Sequence, residues 1–171
     1  MPAENADGFA KIRPVGSHNF RIHDYASYRG MLIMTGINPE QTNDNPHIIK
    51  SEDGKAALWA GVIDDLWKIG KPVGEGGPWK NDAIEANILS DPYLIGFYDK
   101  KKVSLSHDHS DIVKFTIEVN PMGHGPLIVY KEILVESGQT IDHVFEDDFE
   151  ARWIRVFTDK ACEATAWFVY E

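Results

Sequence analysis

From residue 113 to residue 119 the chain alternates without a break. Val113, Phe115, Ile117 and Val119 are apolar, and Lys114, Thr116 and Glu118 between them are polar. A period of two puts successive side chains on opposite faces, so such a stretch is a strand buried on one side. The same logic extends backwards through residues 90–119. A Ser-Asp-Pro turn at 90–92 opens an apolar run at 93–97, and the charged residues 98–102 reverse it. Val103 and Leu105 follow, with a second turn at 107–111. Turn residues bounding alternating runs read as a β-meander.

The rest of the chain repeats this manner. Strands are expected at 31–35, 47–50, 55–63, 93–97, 103–106, 113–119, 127–130, 133–135, 143–145, 153–157 and 163–170. Loops rich in glycine, proline and asparagine are expected at 38–46, 71–79 and 120–126. Asp53-Gly54 marks a hairpin. Residues 81–89 are the one place where a short helix is expected. Short strands separated by such turns define an all-β protein, either a β-sandwich or a β-propeller.

The head at Asp24-Tyr25 and the strand at 31–35 resemble Asp91-Pro92-Tyr93 and the strand at 103–106, and a longer alternating strand succeeds each. The expected organisation is an irregular lead-in over 1–17 and one all-β domain over 18–171. Within it, antiparallel four-stranded repeat units fall at 18–80 and 81–140, with a partial unit at 141–171. The expected architecture is a partial β-propeller, with a β-sandwich as the alternative.

Composition bounds the partners. With 171 residues, 43% of them hydrophobic, the chain can bury a core without disulfides. Its net charge of −10 argues against nucleic acid, whose phosphates need a basic stripe. Lys100-Lys101-Lys102 is the only basic run. The single cysteine, Cys162, excludes a disulfide framework and falls in the inward run of Cys162, Ala164, Ala166, Phe168 and Tyr170. No apolar leader or membrane-length run is present, so no membrane partner is expected. The chain reads as cytoplasmic, or as periplasmic or extracellular if it is a fragment of a longer secreted protein.

Several stretches carry a resemblance: DYASYRG at 24–30, DDLWKIGKP at 64–72, GGPW at 76–79, SDPYLIGFYDKK at 90–101, LSHD at 105–108, FTIEV at 115–119 and the ending from 153. From about His18 onward the chain resembles the C-terminal region of large bacterial proteins associated with β-propeller folds and polysaccharide degradation, some of them rhamnosidase- or lyase-like. That resemblance implies a carbohydrate-active protein, part of a propeller glycoside hydrolase or polysaccharide lyase. The contrasting expectation is a non-catalytic glycan-binding or structural β-rich module. The ligand would be carbohydrate, and the partners either further propeller blades or further copies of the chain.

The richest constellation is residues 21–29. His23 and Asp24 are the candidate catalytic acid and base. Tyr25 and Tyr28 offer faces on which a sugar can stack, and Arg29 suits a uronic-acid carboxylate. The competing reading has His23 and Asp24 cap a turn while the tyrosines pack. Asp91 and Tyr93 are the matching positions of the second unit, and an Asp24–Asp91 pair would be the glycosidase arrangement. Trp79, expected in a loop, is the candidate stacking tryptophan or, equally, a structural plug on a blade face, whereas Trp153 and Trp167 read as core. His107, His109 and Asp111 have metal-ligand spacing but read as a solvated turn, and Asn43-Asp44-Asn45 reads as a plain loop. No metal and no cofactor is expected.

Overall fold

The computed structural model describes residues 13–41 and 45–171. Most of the expected lead-in and the Asn43-Asp44 loop therefore lie outside the described residues. Among the described residues the fold is all-β, with three four-stranded antiparallel sheets and no closed propeller. The described residues divide into two compact units, built on Val15–Lys71 and on Pro72–Glu171.

The unit Val15–Lys71 holds one sheet in the order β1-β2-β4-β3. Its strands are β1 (Tyr25–Tyr28), β2 (Met31–Ile37), β3 (Ile48–Lys50) and β4 (Ala57–Gly61). Arg29 and Gly30 both take positive φ, +51° and +83°, which makes the two-residue turn that joins β1 to β2. Met34, Ile37 and Trp59 form its small core, with Phe20, Ile22, Leu66 and Ile69 packed on them. After β4 the chain forms a 3-10 helix, Ile63–Lys68. Asp65 holds its start, accepting the Val62 N–H at 2.9 Å. Strand β2 carries a bulge, since Met34 pairs with Trp59 but Ile37 already pairs with Ala57. Gly36 supplies it with φ +86°, and a Cβ there would collide with the Arg21 carbonyl.

In the second unit two sheets face one shared core. One runs β10-β7-β12-β5, from β5 (Gly74–Ile84), β7 (Lys101–His107), β10 (Thr140–Val144) and β12 (Cys162–Tyr170). The other runs β6-β11-β8-β9, from β6 (Tyr93–Leu94), β8 (Val113–Asn120), β9 (Ile128–Val135) and β11 (Trp153–Thr158). Val103, Leu105, Ala166 and Phe168 enter the core from the first sheet. Val113, Phe115, Ile117, Ile154 and Val156 enter from the second. Cys162 is half-buried against the same cluster, on the inward side of β12 as its alternation requires.

Three local expectations need correction. Residues 81–89 are not a helix, because β5 runs on to Ile84 and pairs with β12. The glycine-rich stretch before it is strand rather than loop. There Gly77 lies so close to the Ala166 carbonyl that a Cβ would not fit, which explains glycine in a strand. Residues 90–119 are not a meander, since β7 and β8 belong to different sheets and the turn after His107 carries the chain from one to the other. Alternation reports one buried face, and a strand that switches sheets has the same alternation as one that pairs with its neighbour.

The basic run disperses as well. Lys101 is 5% exposed, donates from Nζ to the Phe149 carbonyl at 3.2 Å and lies 5.9 Å from that ring's centre, while Lys102 pairs with Asp142.

Truncating Phe115, which is fully buried, to alanine is expected to lower stability by about 3–5 kcal/mol. Ile128→Ala, at a residue 56% exposed, should change it by less than ~0.5 kcal/mol. Urea unfolding followed by tryptophan fluorescence distinguishes the two. Equal effects would contradict the core assignment.

Candidate functional site

The residues singled out in the sequence fall into two groups, one in each unit. His23 and Asp24 lead into β1 along the edge of its sheet. The His23 N–H donates to the Thr35 carbonyl at 3.1 Å, and the Thr35 N–H donates to the Asp24 carbonyl at 2.9 Å. The Asp24 carboxylate accepts the N–H of Tyr25 at 2.8 Å, so it caps the chain's entry to the strand. Both side chains are exposed. Tyr25 and Tyr28 are 74% and 55% exposed rather than packed. They pair with Met34 and Met31 respectively and so stand on opposite faces of the sheet. The Arg29 guanidinium lies over the Tyr28 ring at 5.2 Å, a cation–π contact.

Of the others, Trp79 corrects its expected loop position. It lies within β5, is 9% exposed and belongs to the shared core, so it presents no open ring face. Asp91 is exposed, and its carbonyl accepts the Ser90 hydroxyl at 3.0 Å. The same hydroxyl accepts the Val156 N–H at 3.0 Å, which ties the Ser-Asp-Pro head to β11. Tyr93 is half-buried on β6 and packs against the core. The structure therefore gathers His23, Asp24 and Tyr25 at one strand entry and Tyr28 with Arg29 at the following turn.

A different surface is richer in convergent polar groups, and only part of it was anticipated. On β12 the inward residues are Ala164, Ala166, Phe168 and Tyr170, so Thr165 and Trp167 point out of the sheet. Trp167 is not a core residue. It is half-buried opposite Ser104 on β7, and the Lys80 ammonium stands 4.4 Å from its ring centre. Beside it the Ser104 hydroxyl donates to Asp142 Oδ1 at 2.6 Å, and Lys102 Nζ donates to Asp142 Oδ2 at 2.9 Å. These two donors, Ser104 foremost, hold the Asp142 carboxyl below its ordinary pKa. Next to them the Thr165 hydroxyl donates to Asn81 Oδ1 at 2.9 Å and accepts the Asn81 N–H at 3.0 Å. The signal was present in the sequence, since a strand whose even-numbered residues face the core must turn Trp167 outward.

The histidine-rich turn is only partly solvated. His107 ends β7, is 7% exposed, and has Nε2 2.9 Å from the Val135 carbonyl, to which that nitrogen donates. His109 accepts the Asp111 N–H at 2.9 Å through Nδ1. Among the described residues no group of three or more histidine, cysteine or acidic side chains could hold a metal ion. Trp153 is buried on β11 as expected.

His143, on β10, packs against Phe145 at 4.9 Å and Tyr130 at 6.0 Å between ring centres. Burial pushes its pKa down, the nearby Lys131 lowers it further, and Glu146 opposes both.

Comparison with protein-family models, with curated proteins and with solved structures gives no match to this chain.

The lowered pKa of His143 sets a pH dependence. The unfolded chain binds the imidazole proton more readily, so the folded state loses stability as pH falls through about 6.5 towards the lower folded value. Above that window the contribution is constant. Comparing urea midpoints from pH 7.5 to pH 5, His143→Leu should show a flatter decline than the parent chain. An unchanged slope would mean that His143 titrates alike in both states.

Proposed function

We propose that this chain is a non-catalytic β-rich module that binds an acidic glycan on the outer face of the β10-β7-β12-β5 sheet. The observation that carries this reading is the outward Trp167, with the Lys80 ammonium 4.4 Å from its ring centre and the Ser104–Asp142–Lys102 group alongside. A sugar ring stacks on an indole through its C–H face once the Lys80 side chain swings off the Trp167 ring, and its hydroxyls need donors and acceptors placed around that ring. Lys80 adds a cation that a uronate carboxylate can meet.

The fold reading that accompanies this function is a β-sandwich for the Pro72–Glu171 unit, with its two sheets lying on one core, rather than blades of a propeller. A hydrolase or lyase draws less support from the geometry. The Asp24 carboxylate serves a backbone N–H, and His23 and Asp24 sit exposed at a strand entry, where a general acid or base would lack a pocket to tune it.

Retardation in gels containing polygalacturonate, with neutral xyloglucan as the contrast, tests the assignment. Trp167→Ala should weaken binding to polygalacturonate by about 10- to 100-fold. Lys80→Ala should reduce the preference for the charged polymer while leaving the fold intact. Binding unaffected by Trp167→Ala would remove the proposed face. Depolymerisation of either polymer would overturn the non-catalytic reading.

A further inference from the structure

A bulge in β5 decides what lies over the ring of Trp167. Ala164 pairs with Asp82 but Thr165 already pairs with Lys80, so Asn81 is an additional residue on β5. Asn81 takes φ +58°, in the left-handed region that asparagine tolerates. Its two bonds with the Thr165 hydroxyl hold it there, and Asp82 Oδ2 accepts the Lys80 N–H at 2.8 Å. Bulges re-aim the side chains beside them. Lys80 stands opposite Thr165 in the ladder, yet its ammonium lies 4.4 Å from the ring centre of Trp167, two residues further along β12.

The flanking strands leave that ring to Lys80. On one side Trp167 is opposite Ser104, whose hydroxyl is turned to Asp142. On the other it falls between the pairs Ala166↔Trp79 and Phe168↔Gly76, beside Gly77 and Pro78, which carry no polar side chain. The two lysines of this face differ in their partners. Lys102 Nζ is held by Asp142 Oδ2, so its charge is met. Lys80 has no acidic partner among the described residues, since the nearby Asp82 carboxylate bonds its N–H, and the indole is what its ammonium meets.

We propose that Lys80 is the specificity-determining residue of this face, a cover on Trp167 that an acidic glycan lifts and a neutral one must displace. This selection acts at the glycan face proposed above and rests on that reading. With the ammonium on the ring, a sugar stacks only after their contact is broken. A uronate carboxylate gives the departing ammonium a new partner, so the exchange costs little. A neutral sugar gives none and forfeits the whole cation–π contact, about two- to fivefold in affinity for an exposed pair. Selectivity then comes from a penalty on the wrong ligand as well as from attraction to the right one.

Gel retardation of the full chain in polygalacturonate and in neutral xyloglucan separates a cover from a simple positive charge. Lys80 is exposed, so its substitution leaves the core untouched. Lys80→Ala should raise affinity for xyloglucan about two- to fivefold, or make retardation appear where the parent chain shows none. A charge that merely attracted the acidic polymer would leave xyloglucan binding as it was. Lys80→Arg, which keeps a cation for the ring, should hold xyloglucan binding at or below the parent level and keep the preference for polygalacturonate. Trp167→Ala tells two failures apart. If it weakens polygalacturonate binding while Lys80→Ala leaves xyloglucan binding unchanged or lower, the cover is overturned and the glycan face stands. If Trp167→Ala alters binding to neither polymer, the face itself is lost and the cover with it.

Discussion

The contact on which the Pro72–Glu171 unit depends is that between the inner faces of β12 and β8. Ala164, Ala166 and Phe168 on β12 and Phe115, Ile117 and Val119 on β8 belong to one buried cluster, and each strand is central in its own sheet. Central strands have no open edge, and their inward side chains leave water entirely, so they carry the largest share of apolar burial. Everything else on the unit is attached to that pair. β7 and β5 flank β12, and β11 and β9 flank β8. Small residues on β12 at 164 and 166 matter as much as large ones, because alanine there leaves room for the bulky side chains of the core.

The same alternation that buries one side of β12 presents the other. With Ala166 and Phe168 fixed inward, Trp167 has no choice but to face out, and its register sets it opposite Ser104. Ser104 in turn is within hydrogen-bond reach of Asp142, because β10 pairs with β7 in the register Asp142↔Ser104. The aromatic and polar surface is thus a by-product of core packing read from the back of the sheet. In the Val15–Lys71 unit the comparable feature is the β2 bulge, where one additional residue parts the ladder and makes a cleft instead of a flat face.

Much of the secondary structure was legible. The run at 113–119 alternates strictly, and it and the runs at 153–157 and 163–170 are each a strand within a residue or two of the expected bounds. The glycine-rich stretch from residue 74 was not legible, since glycine and proline weaken every local strand signal. What makes it a strand is pairing with β12 some ninety residues later. The helical reading of 81–89 failed for a related reason. A few residues with some helical character cannot outweigh a ladder that continues to Ile84. The candidate site was legible only in part. Trp79, expected in a loop, is buried within β5, and Trp167, which reads as core, faces outward as its parity requires.

By itself, then, the sequence determined that the chain is all-β, where most strands lie, and which side of the cleanly alternating strands is apolar. Those properties are local, set by a period of two and by turn residues that act over three or four positions. Only the tertiary structure decided which strands pair, that β7 and β8 part into different sheets, and that Trp79 is buried while Trp167 is not. Strand pairing joins residues far apart in the chain, and its free energy comes from faces that exist only once the partner strand has arrived.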